Sequence, residues 1–260
     1  MAANELSLAG KVAIVTGSGR TNGIGAAIAL ALAKRGAAVT VNYVSESSSS
    51  KAAEVEKTIK NAGGKVTVIR ADIGVPAQAK DLVTKTLSAF NTDKIDILVN
   101  NGAAGPYTNM MDAEASEVMD STFRTNVVGT LNLVQAVVPH MPKGGRIINI
   151  SSVITKLAIA MPVYGATKAA LDFMTVAWAG ELGKTHGITV NSIAPGPTTT
   201  DMAPPDDHPL AIHLKSLTLA ADRFGAPEEI ANAVVLVASP LSSWVTGQFI
   251  SASGGVTNGL

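Results

Sequence analysis

The sequence contains no cysteine, which excludes disulfide bonds, thiol catalysis and cysteine-bound metals. It has no excess of charge either, because 20 Lys and Arg residues balance 20 Asp and Glu residues. A neutral chain gives no indication of a nucleic-acid partner or of an anionic membrane surface. It has only four histidines, and their spacing is not that of metal ligands, so we expect no bound metal.

Long hydrophobic runs are also missing. No uninterrupted apolar stretch reaches the roughly 18 residues of a membrane helix, and segment 1–11 is too short and too polar for a signal peptide. We therefore expect a cytoplasmic protein without a membrane partner. Hydrophobic residues nevertheless make up 47% of the 260 residues, which is enough material for one large core.

Short β-branched runs alternate with helix-forming segments along the whole chain. The predicted strands are 11–16, 37–43, 66–70, 95–100, 146–150, 188–194 and 246–251. This alternation predicts an α/β fold: a single Rossmann-type domain over 1–260, with a doubly wound parallel sheet of about seven strands and helices on both faces. Ligands bind at the carboxyl ends of such strands. The proline-containing segment 198–224 has no clean period, and we expect an irregular insertion that acts as a lid.

A glycine-rich loop at 17–25 joins the first strand to a helix. Its glycines let the backbone approach a pyrophosphate, and the helix N-terminus attracts the negative charge. The second strand ends at 42–45 (Asn-Tyr-Val-Ser), without the carboxylate that binds the ribose hydroxyls of NAD. With Arg20 in the loop, this end favours a 2′-phosphate and hence NADP. The alternative is that Arg20 is a solvated cation and Ser45 a turn residue.

Two serines, Ser151 and Ser152, follow the fifth strand, and Pro162 suits the first turn of the next helix. In that helix Tyr164 and Lys168 are four residues apart and share a face. A positive charge beside a phenol lowers its pKa, and a tyrosine so tuned can exchange a proton with a substrate oxygen. On its own, such a pair is more often an ordinary surface pair.

Together these segments resemble the short-chain dehydrogenase/reductase family over nearly the whole chain, from about 8 to 255. The matching elements are Thr16-Gly17 with Gly23-Ile24-Gly25, Asn100-Asn101, the set Asn126, Ser152, Tyr164 and Lys168, Pro195-Gly196 with Thr200-Asp201-Met202, segment 223–230, and Gly247 with Gly254-Gly255. Within the family, the chain is most similar to NADPH-dependent 3-oxoacyl carrier-protein reductases and fungal polyketide ketoreductases. It departs from the family in three places. Its glycine loop is two residues longer, residues 100–103 read Asn-Asn-Gly-Ala where the family has Asn-Asn-Ala-Gly, and the spacing of Ser152 from Tyr164 is one residue shorter than is common.

The resemblance implies a reductase that transfers hydride from NADPH to a ketone or aldehyde carbon. Tyr164 would protonate the oxygen, Lys168 would tune Tyr164 and hold the nicotinamide ribose, Ser152 would bind the carbonyl, and Asn126 would anchor a relay water. Ser151 is the lesser candidate beside Ser152. The structural alternatives are that Asn126 kinks a helix and that Ser152 caps a turn. There are two functional alternatives. One is an enzyme of the same fold that catalyses epimerisation or dehydration, and the other is a non-catalytic NADP-binding protein.

The expected binding residues fall into two sets. The NADP-binding candidates are Gly17, Gly19, Arg20, Asn22, Gly23, Ile24, Asn42, Tyr43, Ser45, Asp72, Ile73, Asn101, Gly102, Tyr164, Lys168, Pro195, Gly196, Thr198 and Thr200. Of these, Asp72 fits a helix cap equally well, and Thr198 and Thr200 fit solvated loop positions. The substrate-pocket candidates are Ala104, Gly105, Pro106, Val153, Ile154, Leu157, Met161, Val163 and Met202. They are mainly apolar, which suits a hydrophobic or aromatic ketone, although apolar residues more often pack a core.

The family resemblance also implies a homo-oligomer, either a dimer or a tetramer. The helical regions 113–138 and 163–183 would form its contacts. The expected partners are therefore a small carbonyl substrate and further copies of this chain.

Overall fold

The computed structural model describes residues 5–106, 108–157, 161–201 and 203–257. Within this part of the chain, seven strands form one parallel sheet in the order β3-β2-β1-β4-β5-β6-β7. The strands are Val12–Val15 (β1), Ala38–Tyr43 (β2), Lys65–Arg70 (β3), Ile97–Asn100 (β4), Arg146–Ile150 (β5), Thr189–Pro195 (β6) and Phe249–Ala252 (β7). The predicted doubly wound sheet is confirmed. Its strand order reverses between β1 and β4, which is where such sheets open a ligand crevice.

The central strands are apolar because both faces of the sheet are covered. Every residue of β1, β4, β5 and β6 is buried, as a parallel sheet between two helical layers requires. Strand β4 begins two residues later than the sequence predicts. Asp96 instead uses its carboxylate to accept hydrogen bonds from the Val12 N–H group (3.0 Å) and from Lys11 Nζ (2.9 Å).

Helices connect the strands on alternate faces. They are Ile24–Lys34 (α1), Ser49–Asn61 (α2), Pro76–Phe90 (α3), Ala115–Phe123 (α4), Gly129–Val137 (α5), Pro162–His186 (α6), Pro209–Ser216 (α7) and Pro227–Ala238 (α8). The sequence predicted one helical region over 113–138, but a π-helical segment, Arg124–Val128, separates α4 from α5. A π segment contains one more residue in its turn than an α-helix does. The sequence period of apolar residues does not reveal where such a turn occurs.

Two hydrophobic layers hold the sheet. One layer packs α1, α2 and α8 against one face and includes Leu32, Ile59 and Val234. The other packs α3, α5 and α6 against the opposite face and includes Leu82 and Leu133. These layers fix the strand ends, and therefore the ligand crevice, to a rigid support.

The segment expected to be irregular over 198–224 is partly helical. It contains the two-turn helix α7, which begins at Pro209 in a position that proline favours. His208 forms the N-cap, and its ring Nδ1 accepts a hydrogen bond from the Leu210 N–H group (3.2 Å). The apolar pattern of α7 is too short to be recognised in sequence, and Pro204 and Pro205 just before it favour an irregular segment.

Candidate active site

The tips of β1 and β4 approach so closely that only glycine fits between them. Gly17 has φ +62°, and a Cβ added to it would lie 2.6 Å from the Cα of Gly102. Thr16 Oγ1 accepts hydrogen bonds from the N–H groups of Asn101 and Gly102, at 3.0 and 2.9 Å. The Asn101 side chain in turn donates to the Thr16 carbonyl (2.9 Å). The structure thus joins three of the predicted residues through Thr16, which the sequence analysis did not count among them.

Helix α1 presents an open N-terminus beside this junction. Its N-cap is Gly23, and within the described chain no side chain caps it and no acidic residue occupies its first turn. A Cβ on Gly25 would lie 2.7 Å from the Gly17 carbonyl oxygen, so the backbone stays bare there. Unsatisfied N–H groups and the positive end of a helix dipole attract anions. This bare cradle fits the pyrophosphate of a dinucleotide.

Asn42, a predicted cofactor residue, is buried and engaged with the backbone. Its Nδ2 donates to the Ala71 carbonyl (3.0 Å), and its Oδ1 accepts from the Gly17 N–H group (3.5 Å). Ser18 is equally buried, and its hydroxyl accepts from the Asn42 N–H group (3.1 Å) while donating to the Val15 carbonyl (2.7 Å). Asn42 therefore holds the glycine loop against the strand ends. Ser18 shares that task, and nothing in its sequence context distinguishes it from other loop serines.

Exposed polar groups surround the end of β2. Arg20 and Ser45 are both exposed there. Arg70, at the end of β3, donates from Nε to the carbonyl of Val44 (2.9 Å) and forms an ion pair with Glu46. Glu46 is the first acidic residue after β2, and the Arg70 guanidinium balances its negative charge.

The remaining candidates at this end have structural roles. Asp72 Oδ1 accepts from the Gly74 N–H group (2.8 Å), which closes a turn before α3, but the N-cap of α3 is Val75, so Asp72 does not cap that helix. Ile73 is only 4% exposed. Gly19 lies against Tyr43, since a Cβ on Gly19 would be 2.7 Å from the Tyr43 Cβ.

Tyr164, Ser152 and Lys168 come together at the carboxyl end of β5. The Ser152 hydroxyl lies close to the Tyr164 phenol and lowers its pKa as a hydrogen-bonding group. Lys168 Nζ lies 5.5 Å from the centroid of the Tyr164 ring and donates to the Ile150 carbonyl (2.6 Å). Ser151 is 2% exposed and interacts with Asp172, two helical turns beyond Tyr164 in α6. The structure therefore brings Ser152, rather than Ser151, to Tyr164.

Burial controls the acidity of both groups. It raises the pKa of Tyr164 to about 12, against the opposing effect of the Ser152 hydrogen bond. It lowers the pKa of Lys168 to about 8, against the opposing effect of Asp172. The sequence argument expected Lys168 to lower the pKa of Tyr164, and the shift runs the other way. The reason is that the loss of solvent around the phenolate outweighs the ammonium, which points at the Ile150 carbonyl.

Asn126 lies in the π segment and is 1% exposed. Its side chain forms two hydrogen bonds with the backbone of Ala104, accepting from N–H (2.8 Å) and donating to the carbonyl (2.7 Å). It also donates to Thr167 Oγ1 (3.0 Å), which donates to the Tyr164 carbonyl (2.7 Å). Asn126 thus braces the chain after β4 against the helix that carries Tyr164, and π segments are frequent at functional sites. The sequence analysis missed Thr167, although it directly precedes Lys168.

The chain after β6 turns back over the crevice. Pro195 is the last residue of β6 and is buried. A Cβ on Gly196 would lie 2.7 Å from the Cα of Ser253, so a larger residue does not fit. Thr198 Oγ1 donates to the Gly196 carbonyl (2.9 Å), which fixes the turn out of the sheet.

The lengthened glycine loop contacts this returning chain. Asn22 Nδ2 donates to Asp201 Oδ1 (3.1 Å), and Lys51 of α2 lies 4.0 Å from the other carboxylate oxygen of Asp201. A cavity of about 420 Å³ beside the contact is lined by Thr200 and Asp201 on one side and by α1, which begins at Ile24, and α2 on the other. The extra loop residues therefore close one side of the phosphate end.

The predicted pocket residues divide by exposure. Val153 and Val163 are buried and pack the core. The partly or fully exposed members are Ala104, Gly105, Pro106, Ile154, Leu157 and Met161. Gly105 packs directly on the Tyr164 ring, since a Cβ there would lie 2.8 Å from Tyr164 Cδ2. Met161 has φ +77°, a conformation that costs a side-chain-bearing residue about 1 kcal/mol or more. Met202 lies outside the described residues.

Two kinds of site have no candidates in the described ranges. No group of three or more His, Cys, Asp or Glu side chains there is arranged to hold a metal ion. None of the described helices combines the length and the apolar character that crossing a membrane requires.

A bare phosphate cradle at the β1/β4 reversal and a Tyr-Ser-Lys cluster at the neighbouring strand end define a nucleotide-dependent oxidoreductase of the α/β class. The cradle is built from backbone, as dinucleotide sites are. The cluster supplies a proton donor beside it.

Known proteins agree with that class. The family model described as enoyl-(acyl carrier protein) reductase matches residues 17–257. Hydroxynaphthalene reductase arp2 of Aspergillus fumigatus is 34% identical over 95% of this chain and 92% of its own length. The chain belongs to the short-chain dehydrogenase/reductase family, whose members are oxidoreductases that use a nicotinamide cofactor.

Solved structures match equally closely. A short-chain dehydrogenase from Burkholderia cenocepacia, in complex with NADP, is 35% identical with a TM-score of 0.87, covering 96% of this chain and 98% of its own. The promiscuous reductase LugOII, which catalyses keto-reduction at C1 during lugdunomycin biosynthesis, is 37% identical with a TM-score of 0.87, again covering 96% and 98%.

Proposed function

We propose that the protein is an NADPH-dependent carbonyl reductase. The observation that carries the proposal is the placement of Ser152 and Tyr164 together above buried Lys168, at the same sheet edge as the bare glycine cradle. Reduction needs a proton donor beside a hydride donor, and this edge offers room for both. The keto-reduction carried out by LugOII supports the same chemistry.

NADP is preferred over NAD in this proposal. A free carboxylate at the end of β2 would bind the ribose hydroxyls of NAD and repel a 2′-phosphate. Here Glu46 is paired with Arg70, while Arg20 and Ser45 remain exposed. The Burkholderia relative solved with NADP supports the choice.

The protein's own groups handle the carbonyl oxygen. When bound, the cofactor supplies the hydride for the carbonyl carbon. Ser152 donates a hydrogen bond that orients the carbonyl oxygen, and Tyr164 gives its hydroxyl proton to that oxygen as negative charge develops. A pKa of about 12 keeps Tyr164 protonated at neutral pH, and an alkoxide is a much stronger base than a phenolate, so the proton moves downhill.

Lys168 and Asn126 support the proton donor in this scheme. The Lys168 ammonium stabilises the phenolate that remains after proton transfer and holds the nicotinamide ribose. Asn126 positions the helix of Tyr164 through Thr167. Its role as the anchor of a relay water stays a prediction, because its side chain is engaged with Ala104 and Thr167.

The proposed substrate is a hydrophobic or aromatic ketone. Ile154, Leu157 and Met161 are apolar and partly exposed, and they lie in the chain between β5 and the helix that carries Tyr164. No ionised side chain is among the predicted pocket residues that the structure describes. A relative that bears the name of a hydroxynaphthalene reductase agrees with an aromatic substrate.

Replacing Tyr164 by Phe tests the mechanism. The variant keeps the ring but loses the proton, so we expect the rate of ketone reduction to fall by about 10²–10⁴-fold. NADPH affinity, measured by fluorescence titration, should stay within about twofold, because the substitution leaves the backbone of the phosphate cradle unchanged. Reduction is followed by NADPH absorbance over a panel of aromatic and aliphatic ketones, with NADH as the comparison. Unchanged turnover in the variant would refute the role of Tyr164.

The same experiment separates the alternatives. With deuterium-labelled NADPH, a reductase leaves the label in its product, whereas an epimerase or a dehydratase leaves none. A protein that binds NADPH but turns over no ketone would be the non-catalytic binder. Faster turnover with NADH would overturn the argument from Arg20 and Glu46.

We also propose a homo-oligomer that forms through α4, α5 and α6. These helices and the π segment between α4 and α5 expose large apolar side chains that a monomer leaves in water: Phe173 is 75% exposed, Val176 57%, Val128 45% and Met119 43%. Covering such side chains removes apolar surface from water, which favours association.

A further inference from the structure

Asp172 lies below the catalytic pair and takes no part in the mechanism described so far. It is one helical turn beyond Lys168 and two turns beyond Tyr164, so all three side chains lie along one face of α6. Neither carboxylate oxygen of Asp172 is exposed to solvent, and among the described residues neither has a hydrogen-bond partner. A buried carboxylate without partners is costly, which indicates a reason for its presence.

The surroundings of Asp172 are polar. Three hydroxyl groups interact with the Asp172 carboxylate. They belong to Ser151 and Thr155, which follow β5, and to Ser192 on β6. Ser192 also shares a hydrogen bond with Thr175 (2.9 Å), which extends a buried polar chain through Asn149 and Asn100 across the sheet. Hydroxyl dipoles of this kind stabilise a charged carboxylate better than an apolar pocket would.

Charged groups near Asp172 come from two elements. Lys168 and Tyr164 share its helix, and Lys156 faces it from the turn that follows β5. Strand β5 contributes the Ile150 carbonyl, which accepts a hydrogen bond from Lys168, and β6 contributes the Ser192 hydroxyl. Burial raises the pKa of Asp172, while the three hydroxyls and Lys156 oppose that rise.

Lys168 needs such a counter-charge. It is 2% exposed, and its only hydrogen-bond acceptor among the described residues is the Ile150 carbonyl. An ammonium without solvent loses its proton unless a negative charge lies nearby. Burial lowers the pKa of Lys168 to about 8, and Asp172 is the group that acts against this loss.

We propose that Asp172 is the buried counter-charge of Lys168 and keeps its ammonium protonated beneath Tyr164. Asp172 is a positioning residue, since it touches neither substrate nor cofactor and acts only through Lys168. Its consequence for turnover rests on the proposed function, because that is where Lys168 acquires a role in reduction. The effect of Asp172 on the charge of Lys168 does not rest on the proposed function.

The test follows the titration of Lys168 directly. Protein labelled with ¹³C at the lysine side chains is titrated by NMR, and the Lys168 signal is assigned by its loss in Lys168→Arg. Asp172→Asn should lower the measured Lys168 pKa by about one unit, because a neighbouring charge at low dielectric has been removed. Asp172→Glu keeps the charge and should stay within a few tenths of a unit of the parent.

Glu181→Gln is the matched control, because it removes the same charge from an exposed site on the same helix. It should leave the pKa of Lys168 unchanged. An Asp172→Asn protein with the parent's Lys168 titration would overturn the proposal, and so would an equal shift in Glu181→Gln. If Asp172→Asn does not fold, Asp172→Ser removes the same charge and should lower the measured Lys168 pKa in the same way, and an unchanged Lys168 titration in that variant would overturn the proposal.

The pH profile of ketone reduction completes the test. In Asp172→Asn the decline at high pH should move to lower pH by the same amount as the NMR titration. A parent protein that reduces no ketone, together with the expected NMR shift, would refute the proposed function and leave the counter-charge standing. A parent that is active, with an unmoved profile and titration in the variant, would refute the counter-charge alone.

Discussion

At the scale of single residues, the charge of Lys168 sets the pH range of the proposed reaction. Its pKa is lowered to about 8, so the ammonium is present below that pH and is lost above it. Because the ammonium stabilises the phenolate of Tyr164, we expect kcat/KM for ketone reduction to decline above about pH 8, tenfold per pH unit. Tyr164, with a pKa of about 12, stays protonated throughout and adds no further step.

Lys168→Arg is the control for this profile. A guanidinium remains charged to above pH 12, so the decline near pH 8 should disappear while the absolute rate falls. Circular dichroism across the same pH range shows whether the fold persists. A decline that survives in Lys168→Arg would assign the titration to another group.

Gly105 is the second residue with a sharp expectation. A methyl group there would lie 2.8 Å from Tyr164 Cδ2, so Gly105→Ala must displace the ring. A displacement of about 1 Å at a reacting group can cost about 10²-fold, and we expect kcat to fall by at least tenfold.

Gly165→Ala is its matched control, at the neighbour of Tyr164 in α6. The nearest atom to the added Cβ, on Ile154, is 3.9 Å away, so nothing has to move. Kinetics should be unchanged, and thermal unfolding should show a gain of about 0.5–1 kcal/mol from replacing a helical glycine. Equal kinetic effects at both glycines would contradict the contact argument.

At the scale of structural elements, the contact between the glycine loop and the chain after β6 holds the phosphate end closed. Asn22 and Asp201 form it across the crevice. We expect Asn22→Ala and Asp201→Ala each to raise the KM for NADPH by about three- to tenfold, as loss of a hydrogen bond to a charged group would. The kcat at saturating NADPH should change little.

A double-mutant cycle checks that the two residues act together. If the contact is shared, the double variant is no worse than either single variant. Asp206→Ala is a suitable control, since Asp206 pairs with Lys215 elsewhere in the same segment. Additive losses would mean that the two side chains act on the cofactor separately.

At the scale of the whole molecule, the exposed face of α6 is the feature that a monomer does not explain. Phe173→Lys places a charge in the proposed contact, and we expect light scattering after gel filtration to show a smaller species than the parent. Leu219→Lys is the matched control, because Leu219 is 74% exposed but lies outside α4, α5 and α6. A parent that is already monomeric would refute the proposed oligomer.

Much of the fold and part of the site follow from local sequence. Strand and helix patterns depend on neighbouring residues, so the seven strands could be predicted to within about three residues. The spacing of Tyr164 and Lys168 places them on one helical face for the same reason. The glycine loop is recognisable because its glycines follow a strand and precede a helix, where a phosphate group needs close access to the backbone.

Other features arise from contacts between distant parts of the chain. Ser151 and Ser152 are neighbours in sequence, and only the packing of α6 on β5 turns one toward Asp172 and the other toward Tyr164. The π segment around Asn126 depends on the backbone of Ala104, 22 residues earlier. Asn22 and Asp201 are 179 residues apart.

The sequence by itself determined the α/β class, the phosphate cradle and the helical pairing of Tyr164 with Lys168, since each depends on short-range patterns of residue type. The tertiary structure alone decided the direction of their pKa shifts, the opposite surroundings of Ser151 and Ser152, and the place of Asp172. The physical reason is burial: the free energy of a charge depends on the solvent and dipoles that surround it, and those are set by chain segments far apart in sequence.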